Sequence, residues 1–180
     1  MPKYVALLRG INVGGKSLIK MAALKECVEA IGHGDVRTYI ASGNVLFESK
    51  ERSGPKLDAQ LERAIEKAFG LPVRVVVRSG AEVQRIVDRI PKAWLGAADL
   101  RVTIAFLLRE ADGRTIARGL KPKDGIDELV TAPGALVWAI KRDAITRTGL
   151  KLVGTPAYKQ MTLRNLNTTL KLAELVRPAP

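Results

Sequence analysis

The tightest constraint on this chain is Ala41-Ser42-Gly43-Asn44, which separates two short apolar runs, Val36 to Ile40 and Val45 to Phe47. Parallel neighbours need a crossover of a dozen or more residues, so two runs joined this closely must pair antiparallel as a hairpin. Ahead of them, Tyr4 to Leu8 reads as a buried strand, followed by a glycine-rich loop. A helix then carries Met21, Leu24, Val28 and Ile31 on one face and stops at Gly32. Beyond the hairpin, Ser53 and Pro55 open a second helix. Leu57, Leu61, Ala64, Ile65 and Ala68 fall at helical spacing along it, with Gly70 as its stop. Val73 to Val77 supplies a fourth strand, and the order βαββαβ is that of the ferredoxin-like split unit.

The second half partly repeats this order. A connecting helix from Glu82 to Ile90 leads to a strand, Val102 to Leu108, and a short helix around Thr115 to Gly119. Strands Glu128 to Thr131 and Leu136 to Ile140 flank Ala132-Pro133-Gly134-Ala135, where Pro-Gly fits the centre of a type II turn. A closing helix is expected from a Thr162 cap through about Val176. The fold class is therefore α+β: two ferredoxin-like lobes with antiparallel sheets packed together, residues 1–79 the first and 80–180 the second with its closing helices. Lobes of this size have small cores on their own, which favours their packing together.

Hydrophobic residues at 47% and charged residues at 27% are the balance of a globular chain. The apolar run Tyr4 to Leu8 is broken by Arg9, too short for a signal-peptide core or a membrane span, and Cys27 is the single cysteine. The expectation is a cytoplasmic protein with no membrane partner and no disulfide. The net charge of +12 is uneven: from Lys141 to Arg177 there are eight basic residues and two acidic. Such a surface attracts phosphorylated ligands and polyanions.

One motif invites a sharper reading. Gly10-Ile11-Asn12-Val13-Gly14-Gly15-Lys16-Ser17 satisfies the pattern G-x-x-x-x-G-K-[ST] between a strand and a helix. In a nucleotide-binding loop the backbone amides would wrap a β-phosphate, Lys16 would reach the β- and γ-phosphates, and Ser17 would hold Mg²⁺. Against that stand the tight hairpin that follows, where such enzymes use parallel strands, and strands that end in Arg109 and Arg78 rather than an aspartate. A helix starting as late as Lys20 or Met21 would also take its N-terminus away from the phosphate. Three readings stay open: an NTPase loop, a simpler anion site built from Arg9, Gly10, Asn12, Gly14, Gly15 and Lys16, and a structural loop whose glycines permit tight backbone geometry.

The same residues carry a resemblance. Val5-Ala-Leu-Leu-Arg-Gly-Ile-Asn-Val-Gly-Gly-Lys16, Ile19-Lys-Met21 and Val36-Arg-Thr-Tyr-Ile-Ala-Ser-Gly-Asn-Val-Leu-Phe-Glu48 resemble the bacterial domain of unknown function family 1697. Gly154-Thr-Pro156 and Thr162-Leu-Arg-Asn-Leu-Asn-Thr-Thr-Leu-Lys-Leu172 are similar to that family's closing motif. The resemblance implies two ferredoxin-like lobes and no assigned activity. It departs from the family pattern around Arg142 to Thr148, where a glycine-containing Arg-Ser-Lys segment is usual.

On the expected closing helix, Leu163, Leu166, Leu170 and Ala173 share one stripe, with Arg164, Thr168 and Lys171 opposite and Asn165 and Asn167 flanking. An arginine, a lysine, a hydroxyl and two amides on one face suit an oxyanion; a solvated face suits them equally. Ser42 and Asn44 at the hairpin tip are a second contact point, or simply turn formers. An RNA-recognition module of the same strand order needs aromatic side chains on its central strands, and strand 1 offers only Tyr4. With His33 and Cys27 each alone of its kind, no metal site and no cofactor are expected. The partners expected are a nucleotide, a phosphorylated small molecule or nucleic-acid backbone. The alternatives are an enzyme acting on a nucleotide or phosphorylated metabolite, and a structural or interaction protein.

Overall fold

The computed structural model describes residues 1–15 and 17–177. They form two compact units, one of residues 1–83 joined by residues 172–177, the other of Gln84–Lys171.

The first unit runs β1 (Lys3–Leu8), α1 (Met21–Ala30), β2 (Gly34–Tyr39), β3 (Asn44–Glu48), α2 (Pro55–Phe69) and β4 (Val75–Ser79). Its sheet has the order β2-β3-β1-β4 with every neighbour antiparallel, so β3 is inserted between β1 and β2 as the split unit requires. Tyr4, Ala6, Leu8, Val45, Phe47, Val75 and Val77 share one core with Leu24 and Val28 of α1 and Leu57, Leu61 and Ile65 of α2. The three α2 residues recur every fourth position, and burying each is worth about 1.5–3 kcal/mol. Val5, Leu7 and Val76 on the opposite face are also fully buried, which is why β1 reads as a continuous apolar run instead of an alternating one. The edge strand β4 is closed off by α2. Asp58 Oδ1 accepts from Val77 N at 3.1 Å, and one turn later Glu62 Oε1 accepts from Val75 N at 2.9 Å.

α3 (Gly80–Val87) follows, opened by a reciprocal cap in which Ser79 N donates to Glu82 Oε2 at 2.8 Å and Glu82 N donates to Ser79 Oγ at 3.3 Å. The second unit contains β5 (Leu100–Leu107), α4 (Gly113–Gly119), β6 (Asp127–Ala132), β7 (Ala135–Lys141), β8 (Met161–Asn165) and the start of α5 (Leu166–Leu175). Its sheet, β6-β7-β5-β8, repeats the permutation of the first. The position that α2 holds in the first unit is taken here by 3-10 turns at Arg142–Arg147 and Ala157–Gln160, and Leu150 and Leu152 join the core beside Trp138 and Met161. Gly134 closes the β6–β7 hairpin with φ 75°, the value a type II turn requires at its third residue. The architecture is the expected α+β pair of ferredoxin-like sheets.

Two local expectations are corrected. Ile40 is not the end of β2: it turns with φ 50°, and Asn44 is the first residue of β3, so the connection is Ile40 to Gly43. The closing helix does not start at Thr162. Met161 to Asn165 is a strand paired with β5, its register running from Thr103 opposite Asn165 to Leu107 opposite Met161. Met161 joins the unit's core while Thr162 and Arg164 are buried at alternate positions. A period of two written partly with polar side chains looks helical until its partner strand is known.

Candidate functional site

The glycine loop leaves the end of β1 beside the β2–β3 hairpin. Leu8 N donates to Gly43 O at 2.9 Å, and Arg9 N to Arg74 O at 2.9 Å, so its first residues continue the sheet. Ile11 is buried. Asn12, with φ 54°, works as an internal bracket: its Nδ2 donates to Ile19 O at 3.0 Å and to Ala41 O at 2.8 Å, while Oδ1 accepts from Ile19 N at 2.8 Å. Its backbone N–H donates to Ser17 O at 3.2 Å. These groups of Asn12 therefore bind the protein itself.

Gly14 and Gly15 have φ 59° and 74°, the left-handed region that favours glycine, and a Cβ on either would meet open space. The glycines serve backbone geometry. Lys16 lies outside the described residues. α1 begins only at Met21, with Lys20 in the cap position and no side-chain cap, so its N-terminus does not stand behind the glycines. With an antiparallel sheet as well, the two features that define a nucleotide-binding P-loop are replaced by others.

Asn44 is fully buried, and its Nδ2 donates to Tyr39 O at 2.9 Å and Ser42 Oγ at 3.1 Å, which ties the hairpin tip shut. Gly43 has φ 78°, and a Cβ there would come within 2.7 Å of Ile11 Cδ1 and 2.9 Å of Leu8 Cβ. Ser42 and Asn44 thus belong to the same bracket as Asn12.

The basic face expected on the closing helix is dispersed. Arg164 stands on β8, 7% exposed, its Nη1 donating to Thr162 Oγ1 at 2.9 Å and Leu163 O at 2.8 Å. Desolvation lowers the pKa of its guanidinium to about 10, which leaves it a cation at neutral pH. Thr168 is buried, and Lys171 is half-buried further along α5. Asn165 caps α5 through Oδ1, which accepts from Thr168 N at 2.8 Å.

Asn165 instead opens onto a cleft of about 470 Å³ that lies wholly in the second unit. Its polar lining is Arg101, Arg142, Asn165 and Asn167, with Trp94, Leu100 and Leu166 among the apolar residues and no carboxylate. Three strand ends make it: β5 starts there, while β7 and β8 finish there. Arg142 N donates to Asp99 O at 2.9 Å, and its Nε donates to Ala98 O at 2.9 Å, which anchors the guanidinium at the rim. Both arginines are exposed. Their presence in one cleft follows from a cross-strand register between segments forty residues apart, for which the sequence carries no local signal; the cap of α5 is Asn165 and not the expected Thr162.

Two other reactive side chains have structural surroundings. His33 is buried with its ring centroid 4.7 Å from that of Phe47, its Nε2 without a hydrogen-bond partner, and desolvation lowers its pKa. Cys27 is half-buried against the first core, and burial raises its thiol pKa. Among the described residues no group of three or more His, Cys, Asp or Glu is placed to hold a metal ion, and no helix is long and apolar enough to cross a membrane.

A family model described as "Protein of unknown function (DUF1697)" matches residues 1–138. The conserved bacterial protein SP0830 from Streptococcus pneumoniae is structurally similar, with a TM-score of 0.84 and 25% sequence identity over 98% of this chain and 99% of that one. No curated protein matches the chain at a significant level.

Proposed function

We propose that this chain, which belongs to the DUF1697 family of proteins of unknown function, is a binding protein for phosphate-bearing ligands, held in the cleft between Arg101 and Arg142. The observation that carries the reading is the composition of that lining. Two arginines and two asparagines line a space of ligand size with no acidic residue among its lining. The charge of the whole chain, +12, adds a long-range attraction for anions. A cytoplasmic setting suits the reading, since nucleotides and nucleic acids abound there and the lone Cys27 asks for no oxidising compartment.

The test is calorimetric titration with ADP and, separately, a short single-stranded RNA across a salt series. Bound phosphates displace counterions, so affinity should fall as salt rises, and removing one phosphate-contacting arginine should reduce the slope by about one. Arg101→Ala and Arg142→Ala should each weaken binding. Undiminished binding by both variants would remove the cleft from consideration, and the failure of both probes to bind would end the reading.

A further inference from the structure

We infer that the cleft is shaped for two linked phosphoryl groups, a diphosphate, rather than for an isolated phosphate. The inference rests on the anion-binding reading of the same cleft. In the β5–β7 pair, Leu100 lies opposite Lys141 and Arg101 opposite Ile140. The bond from Arg142 N to Asp99 O carries that ladder one residue further. Arg142 therefore stands two residues along from the cross-strand partner of Arg101. The two arginines are diagonal neighbours at the end of this ladder, with Arg142 opening the 3-10 turn that follows β7.

Side chains of this length, rooted on neighbouring segments, can close on groups joined by a single bridging oxygen. Arg142 is oriented for the task. With Nε bonded to Ala98 O, its terminal edge presents two parallel N–H donors, the fork that phosphoryl oxygens accept. Asn165 contributes in one sense only: its Oδ1 accepts from Thr168 N, so the end of the amide left for the cleft is the donor Nδ2. Donors thus dominate the polar lining, and nothing of the same sign as the ligand faces it.

The experiment compares inorganic pyrophosphate, inorganic phosphate and a short single-stranded RNA on the full chain by isothermal titration. Pyrophosphate should bind about tenfold or more tighter than phosphate, the gain expected from a second charge-assisted contact. Arg101→Ala and Arg142→Ala should each bring pyrophosphate down to the affinity of phosphate, with Tm unchanged because both side chains are exposed. Arg118→Ala, an exposed cation on α4 outside the cleft, should leave both affinities as they were. Equal affinity for phosphate and pyrophosphate, RNA binding without pyrophosphate binding, or an equal loss in Arg118→Ala overturns the diphosphate inference while anion binding stands. Failure of all three probes overturns both.

Discussion

Replacing Asn12 separates a bracket from a ligand site, and the structure sets the size of each effect. The side chain makes three hydrogen bonds, to Ile19 O, Ala41 O and Ile19 N, at 3.0, 2.8 and 2.8 Å. At a net of about 1 kcal/mol each, Asn12→Gly, which keeps the φ of 54° accessible, should cost about 2–4 kcal/mol. Asn12→Ala loses the same bonds and adds the left-handed penalty of a Cβ, about 1 kcal/mol more. Asn12→Asp keeps the acceptor for Ile19 N but turns an anionic oxygen toward two carbonyls, and should be at least as damaging as glycine. Urea unfolding followed by far-UV circular dichroism is the suitable assay, since both tryptophans, Trp94 and Trp138, lie in the second unit and fluorescence would report that unit alone. The order expected is wild type, then glycine, then alanine, with aspartate at or below glycine. An Asn12→Ala variant within about 0.5 kcal/mol of wild type, or an aspartate variant equal to wild type, would refute the bracket. Folded Asn12→Gly should also titrate pyrophosphate like wild type; loss of that binding would return the glycine loop to candidacy as the anion site.

Gly43→Ala should cost about 2–5 kcal/mol, from left-handed strain plus the overlap of a Cβ with Ile11 and Leu8, whereas Gly14→Ala, in open space, should cost only about 1 kcal/mol; matched chemical melts decide it. Asp58→Ala removes the acceptor that α2 gives to Val77 N and should cost about 1–3 kcal/mol, read as a lowered urea midpoint at unchanged slope. His33 has a folded pKa below its unfolded value of 6.5, so the unfolded chain takes up the proton first as the pH falls. Its contribution is constant above about pH 6.5 and is lost below it, at no more than about 1.4 kcal/mol per pH unit for one proton. His33→Gln should therefore show a smaller drop in Tm between pH 7.5 and pH 5 than wild type; an equal drop assigns the acid sensitivity to the carboxylates.

The parts of this protein that were legible are those in which local spacing and tertiary demand agree. Leu57, Leu61 and Ile65 announce α2 because the face that pattern makes is the face the sheet buries. The four-residue link to β3 forces its pairing before any contact is known, and Pro133-Gly134 does the same for β6 and β7. Legibility failed where a side chain serves a partner that is distant in sequence. Asn12 looks like a ligand residue because asparagine is equally fit to hold a loop, and only the carbonyl of Ala41, 29 residues away, distinguishes the two uses. Arg164 and Asn165 looked like members of one helical face. As consecutive strand residues they diverge, the arginine buried beside Thr162 and the asparagine exposed at the cleft. The cleft itself depends on register: slipping β7 by one residue against β5 would turn Arg142 to the other face and leave Arg101 alone. A diphosphate site made this way has no motif to find, since its two arginines are set together by a hydrogen-bond ladder.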